Sequence, residues 1–195
     1  MAYEEFTIEG RNAVIEAFRS GKTIDKLYIL DGCQDGPILT IKKEAGKRDV
    51  LVKYVTKERL DQLSATGKHQ GVIAMAAAYE YATVEEILKA AKAKQEPHFL
   101  ILLDNIEDPH NLGAIIRTAN LAGAHGVIIP KNRAAGLTAA VARTSAGALN
   151  YPPAAKVTNL AKTIEELKKQ GMWFVCADMD GTVMYDVDLK GPLGL

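Results

Sequence analysis

Residues 99–130, FLILLDNIEDPHNLGAIIRTANLAGAHGVIIP, alternate between the patterns of strand and helix. Phe99–Leu103 is a continuous apolar run, the signature of a strand covered on both faces in a parallel sheet. Asp104–Asn111 is a polar loop, and Asp108 before Pro109 marks a helix start. A carboxylate there caps free backbone N–H groups, and proline is preset for the first turn. Leu112, Ile115, Ile116 and Ala119 recur at helical spacing on one face. Ala122-Gly123 closes the helix, and Gly126–Pro130 is the next buried strand. Such a strand–helix–strand crossover is right-handed almost without exception.

Polar residues at the helix entrance carry the chemistry of this unit. Asn111, Gly113 and Arg117 form N-x-G-x-x-x-R at the carboxyl end of a strand, the edge where ligands of open α/β sheets bind. Gly113 leaves room for close approach, and Gly113-Ala114 gives Arg117 a small-residue shelf one turn earlier. Positions six apart lie roughly 240° around an ideal helix. Asn111 and Arg117 therefore converge only if Asn111 sits at a frayed entrance and Arg117 reaches back. An asparagine in a turn and an arginine on a solvated face is the competing reading of the same residues.

Working outward, 195 residues suit one large domain or two small ones. The apolar and charged fractions, 48% and 25%, are those of an ordinary globular chain. No apolar run is long enough to span a bilayer, and the N-terminus carries no signal-peptide pattern. Cys33 and Cys176 form no metal or disulfide pattern, so reduced cytosolic thiols are expected. The formal charge is zero, so any contact with nucleic acid must rest on a local basic patch.

Toward the N-terminus, residues 6–20 read as a short strand, a polar turn and an amphipathic helix. Strands follow at 25–30, 50–55 and 71–76, with helices at 37–47 and 56–63. This alternation predicts a small α/β sandwich over residues 1–79. Two polar spots stand out in it. Arg11-Asn12 opens the first helix, where backbone N–H groups and a guanidinium suit a phosphate. Gly67-Lys68-His69-Gln70-Gly71 is a turn with donors between two glycines, which also reads as a plain turn with a cap. Residues 80–97, charged and alanine-rich up to Pro97, read as a short helix or semi-rigid linker.

Toward the C-terminus, 131–138 is a loop and helix start. The small residues of 139–149, Arg143-Thr-Ser-Ala-Gly among them, favour close backbone packing over ligand binding. Asn150–Pro153 breaks the chain. Residues 160–170 form a helix capped by Thr163 or Asn159, and Met172–Ala177 a buried strand. That strand runs into Asp178-Met-Asp180-Gly181-Thr182, the nucleophile pattern of haloacid-dehalogenase-like phosphatases, whose paired carboxylates attack phosphorus and handle protons around magnesium. Thirteen residues follow Thr182, too few for that fold's remaining groups, so an acidic turn is the expected reading. No metal site is expected.

The stretch DNIEDPHNLGAIIRTANLAGAHGVI resembles motif 1 of the SpoU (TrmH-like) ribose 2′-O-methyltransferases of the knotted SPOUT class. GRNAVIEAF near the start, HQGV at 69–72 and RTSAGALNYPP at 143–153 extend the resemblance over nearly the full length. It implies an N-terminal domain related to ribosomal proteins, then a Rossmann-like parallel-sheet domain with a trefoil knot over 98–195, incomplete at its carboxyl end. It further implies methyl transfer from S-adenosylmethionine to a ribose 2′-hydroxyl of ribosomal RNA, of the large subunit, by a cytoplasmic homodimer. Asn111 and Arg117 would be catalytic, Arg11, Asn12, His69 and Gln70 would touch RNA, and Arg143 would serve the dimer interface. A noncatalytic RNA-binding module is the alternative.

In that family two further segments, a glycine-rich loop with a glutamate and the knot-threading strand–loop–helix, line the cofactor pocket. They are expected beyond Leu195, and the strand entered at Gly191–Leu195 is expected to lie open at a sheet edge. The 195-residue chain is therefore expected to give no heat on titration with S-adenosylmethionine, because adenine and methionine ends need backbone partners and an apolar wall. A calorimetric isotherm in the micromolar range would overturn this.

Overall fold

The structure, a computed structural model, describes residues 7–195. Phe6, read as the start of the first strand, lies outside the described residues. The chain divides into two compact units. One is built on the chain up to Glu80 together with Gly136–Ala140, the other on Tyr81–Ala135 and Val141–Leu195.

The first unit runs β1 (Thr7–Glu9), α1 (Arg11–Arg19), β2 (Ile24–Leu30), α2 (Gly36–Lys47), β3 (Leu51–Val55), α3 (Lys57–Leu63) and β4 (Val72–Ala76). Its sheet has the order β1-β4-β2-β3, with β4 antiparallel to β1 and β2, and β3 parallel to β2. Each helix starts where the local chemistry allows. Asp35 accepts from the Ile38 N–H before Pro37 can continue the chain into α2, and Thr56 caps α3 through the Arg59 N–H. Val14 and Phe18 of α1 and Ile38 and Ile41 of α2 pack with Leu27, Ile29 and Val72 into a core with almost no solvent exposure. The return segment belongs to this unit by contact: the Ala78 N–H donates to the Leu137 carbonyl at 2.8 Å. A Cβ on Gly136 would overlap the Asp25 carboxylate.

The second unit contains α4 (Val84–Ala93), β5 (Phe99–Leu102), α5 (Pro109–Leu121), β6 (Gly126–Pro130), β7 (Ala154–Val157), α7 (Leu160–Lys169), β8 (Trp173–Phe174) and β9 (Leu193–Gly194). Before β7 come α6 (Ala139–Thr144) and a 3₁₀ turn at Ala148–Asn150. The sheet is parallel throughout, in the order β7-β6-β5-β9-β8. Leu100, Ile128, Ala155 and Leu167 form the core against α4 and α7. The winding runs one way from β5 to β7, then restarts at β8 on the far side, which puts the topological switch point between β5 and β9.

Of the two readings of residues 80–97, short helix or semi-rigid linker, the helix is what forms: Ile87 and Ala91 of α4 are fully buried, and Ile87 lies so close to β6 that a Cβ on Gly126 would overlap it. The charged composition that suggested a linker is only the outer face of this helix. The strand predicted to run to Ala177 ends at Phe174, because Asp178 and its neighbours are exposed and pair with nothing in the sheet. Ala154–Val157 is a strand that its own sequence does not announce. Finally, β9 is no open edge: it lies between β5 and β8, with Leu193 buried.

Since Ile87 fills the space above the β6 glycine, Ile87→Ala should cost about 2–5 kcal/mol of stability by denaturant unfolding. A linker residue would change stability by no more than about 0.5 kcal/mol.

Candidate functional site

Asn111 and Arg117 both stand on α5, the helix that leaves the carboxyl end of β5. The helix begins as its sequence dictates, with Asp108 accepting from the His110 N–H at 3.1 Å and Pro109 in the first turn. Asn111 is thus the third residue of a formed helix, not a frayed entrance. It is exposed, as is Arg117 two turns on. No hydrogen bond or ion pair joins them, and among the described residues the Arg117 guanidinium has no partner. The structure therefore delivers two solvent-facing donors beside the switch point and does not bring them together.

Gly113 between them has a structural use. A Cβ there would overlap the Thr144 side chain and come within 3.0 Å of the Ser145 N–H. The Thr144 hydroxyl stands between two acceptors, the Val141 carbonyl at 3.2 Å and the Pro109 carbonyl at 3.3 Å, and the Ser145 hydroxyl, wholly buried, donates to the Ala142 carbonyl at 3.0 Å. The small residues of 143–148 thus pack against the first turn of α5, as their composition predicts, and Arg143 stays exposed. This packing holds the turn bearing Asn111 against Thr144 and Ser145.

Sequence reading passed over Lys131, which follows β6 at the same carboxyl edge. Burial pushes its ammonium below the usual lysine range, and the neighbouring Lys156 adds to that effect. Its only sequence signal is a cation directly after a fully buried strand.

At the switch-point edge Asp104, Asn105 and Leu195 are exposed. A cavity of about 300 Å³ lies beside β7, lined by Thr83, Leu88, Lys156, Thr163 and Glu166 among others. Asp178 and Asp180 sit in an exposed loop past β8, and Asp178 accepts from the Met179 N–H at 2.6 Å. That is the acidic turn, not a nucleophile at a strand end.

In the first unit, Arg11, His69 and Gln70 do come together. Gly10 offers α1 no side-chain cap, and Gln70 supplies one from sixty residues away in sequence: its Oε1 accepts from the Arg11 N–H at 3.1 Å. The Arg11 Nε returns a bond to the Gln70 carbonyl at 3.0 Å, and its guanidinium pairs with Asp35 at 2.7 Å. His69 is buried. Its Nδ1 accepts from the Gly71 N–H at 3.0 Å and its Nε2 lies 2.9 Å from Asp61. With Nδ1 accepting, the ring proton sits on Nε2 and points at the carboxylate. Both ring nitrogens are spoken for, so His69 shapes the turn. Asn12, Lys68 and Gln70 are the members exposed to solvent.

Glu9 anchors the same turn. Its carboxylate accepts from the Ser64 hydroxyl at 2.5 Å and from the Ala65 N–H and the Thr66 hydroxyl at 2.6 Å each. Burial alone would raise its pKa, but these hydrogen bonds outweigh it and hold the group below the usual glutamate range.

Comparison with known proteins supplies the remaining observations. Residues 98–195 match the model of the SpoU rRNA methylase family, and residues 7–82 match that described as RNA 2′-O ribose methyltransferase substrate binding. YacO of Bacillus subtilis (strain 168), described as of the TrmH family of tRNA/rRNA methyltransferases, is 46% identical over 196 residues, covering 100% of this chain and 78% of its own. A relative with the same family description from Staphylococcus haemolyticus is 44% identical over 193 residues, covering 98% of this chain and 77% of its own. Among solved structures, the SpoU methyltransferase AviRb of Streptomyces viridochromogenes, in complex with AdoMet, superposes with a TM-score of 0.51. That match has 21% identity and covers 97% of this chain and 71% of the other. The second unit is accordingly of the SPOUT methyltransferase fold, and the first matches the substrate-binding family model.

A lowered carboxylate pKa stabilises the fold above the unfolded value and loses that effect as pH falls through the folded one. The stability difference between the wild type and Glu9→Gln should therefore be full at pH 7 and shrink below about pH 4.5, the ordinary glutamate value. Denaturant unfolding of both proteins across that range checks it, and a difference that persists undiminished at low pH would contradict the carboxylate's role.

Proposed function

Since the chain belongs to the SpoU rRNA methylase family, we propose that it transfers a methyl group from S-adenosylmethionine to a ribose 2′-hydroxyl of ribosomal RNA. Large-subunit RNA is the substrate in this reading, and the enzyme works in the cytoplasm as a homodimer, with Arg143 at the interface and a knotted catalytic domain. The observation that carries the reading is the unpartnered, exposed Arg117 on the helix leaving the switch point.

A ribose hydroxyl is a poor nucleophile at neutral pH, so the protein's task is to orient it and to stabilise the negative charge that grows on its oxygen. Arg117 suits both needs. A guanidinium stays charged and carries five donors in a fixed fork, enough to hold the hydroxyl oxygen and an adjacent phosphate at once. For the same reason it is an electrostatic stabiliser and not a base. Asn111, about a third of a turn away around the helix by the short route, meets the ribose from the other side. The two converge on the nucleotide and not on one another.

Recognition of the RNA falls to the first unit. Asn12, Lys68 and Gln70 face solvent beside Arg11, while Arg11 and the buried His69 keep the turn in shape. Arg11 and His69 thus act on RNA through the turn they hold.

Arg117→Ala in the full-length protein should lower methyl transfer to ribosomal RNA a hundredfold or more, the usual cost of a lost charge stabiliser. Its melting temperature should stay within a degree or two, because an exposed side chain without partners contributes little. Radiolabelled methyl incorporation alongside thermal unfolding tests this, and near-wild-type turnover would remove Arg117 from the reaction.

A further inference from the structure

Tyr54 lies on β3, the edge strand of the first sheet, and is 54% exposed. On the same face Val52 packs into the core beneath α2. Two residues further along the strand, Tyr54 emerges beyond the helix's apolar stripe and meets its flank. There the Lys42 ammonium stands 4.9 Å from the ring centroid. That ammonium is fixed from the other side, because it donates to the Cys33 carbonyl at 3.1 Å. The ring is therefore a positioned aromatic surface, with one face under a cation and the other left for a ligand.

The surrounding charge has a direction. Residues 36–60 carry seven lysines and arginines against three acidic residues, in a chain whose formal charge is zero. Lys43 and Lys57, both exposed, lie on the helices on either side of β3 in sequence, while Lys53 points to the opposite face of the sheet. The patch is also continuous with the turn built on Gln70. Arg11 bonds the Gln70 carbonyl and reaches Asp35 and the Cys33 sulfur, while Cys33 holds Lys42 through its carbonyl. A line of bonded side chains thus runs from the turn to the sheet edge.

An exposed aromatic ring in a basic surround is the stacking platform that proteins use for unpaired bases, with cations alongside for the phosphates. We infer that Tyr54 stacks an unpaired base of the RNA substrate on the ring face turned away from Lys42, with the Lys42 ammonium near a flanking phosphate, so that the first unit selects a single-stranded or looped segment. A paired base is already stacked on its neighbours and offers the ring no face. The inference rests on the RNA-methylation reading and adds to it the form of RNA that is held.

The test uses full-length protein and two labelled probes, a single-stranded oligoribonucleotide and a blunt RNA duplex of equal length, followed by fluorescence anisotropy. Wild type should prefer the single strand. Tyr54→Ala and Tyr54→Thr should each lose about tenfold on the single strand, the scale of one base stack, and change little on the duplex. Tyr54→Phe should bind as wild type. The Thr variant keeps a strand-favouring residue, so a folding defect in the Ala variant does not obscure the result. Lys42→Gln should weaken both probes and flatten the salt dependence, as loss of a phosphate contact does. Unchanged single-strand affinity in a folded Tyr54→Thr protein overturns the inference. It leaves the RNA reading standing if Lys68→Ala with Gln70→Ala still weakens binding. Absence of RNA binding by the wild type overturns both.

Discussion

The hydrogen-bonded ladder along both sides of β5 is the constraint on which the second unit depends. A central parallel strand has no water to satisfy its N–H and C=O groups, so each side needs a strand partner. On one side β6 supplies it, in register from Leu100 opposite Gly126 to Leu102 opposite Ile128. On the other side β9 does so: the Leu193 N–H donates to the His98 carbonyl at 2.7 Å, the Leu195 N–H to Leu100 at 2.9 Å, and the Leu102 N–H to Leu195 at 2.7 Å. Only two residues of β9 count as strand, yet they satisfy the inner side of β5 and tie β8 into the sheet. Because the chain winds outward through β6 and β7 before returning, the switch point is forced next to β5, and α5 must leave from its rim. The position of Asn111 and Arg117 follows from this satisfaction of backbone groups.

Side chains that look chemical are used in the same way. His69 and His125 stand in different units yet make the same pair of bonds. His125 accepts the Phe99 N–H at Nδ1, 3.1 Å away, and faces Glu96 through Nε2 at 2.8 Å. His69 accepts the Gly71 N–H and faces Asp61. In each case an imidazole satisfies an otherwise orphaned backbone donor, at a strand start or a tight turn, and a carboxylate fixes its tautomer. Gly67-Lys68-His69-Gln70-Gly71 is thus first a clasp on the N-terminus of α1. Its exposed members are what such a clasp can offer a ligand.

Much of this was legible in the residues. The Asp108-Pro109 start, the apolar stripe of α5, both buried strands around it and the elements of the first unit fall where propensity, capping and periodicity agree. The failures share a cause. Ala154–Val157 has neither alternation nor a β-branched run, and becomes a strand only because β6 presents it with an open ladder. α4 carries enough glutamate and lysine to read as a linker as readily as a helix, and what decides is that Ile87 finds a glycine in β6 small enough to receive it. The apolar run after Met172 outlasts its partner strand: the Val175 N–H still donates to the Gly194 carbonyl at 3.0 Å, and the chain leaves the sheet beyond it. In the candidate site, residue types were legible and geometry was not, since whether Asn111 frays depends on Thr144 and Ser145, thirty residues further on.

That dependence bears on how the site works. Gly113 admits Thr144 against the first turn of α5, and the Thr144 hydroxyl stands between the Val141 and Pro109 carbonyls. With that turn locked, Asn111 cannot swing toward Arg117, and helix geometry keeps the two roughly 120° apart around the axis by the short route. Residues so disposed cannot form a preassembled pair in which one activates the other. They can only address separate groups of one molecule laid across the helix. A nucleotide meets that description, because its ribose hydroxyl and its phosphate are distinct acceptors held a fixed distance apart by covalent bonds. In the proposed function the substrate would supply the rigid part of the arrangement, and the helix two donors whose spacing the packing of Gly113 holds.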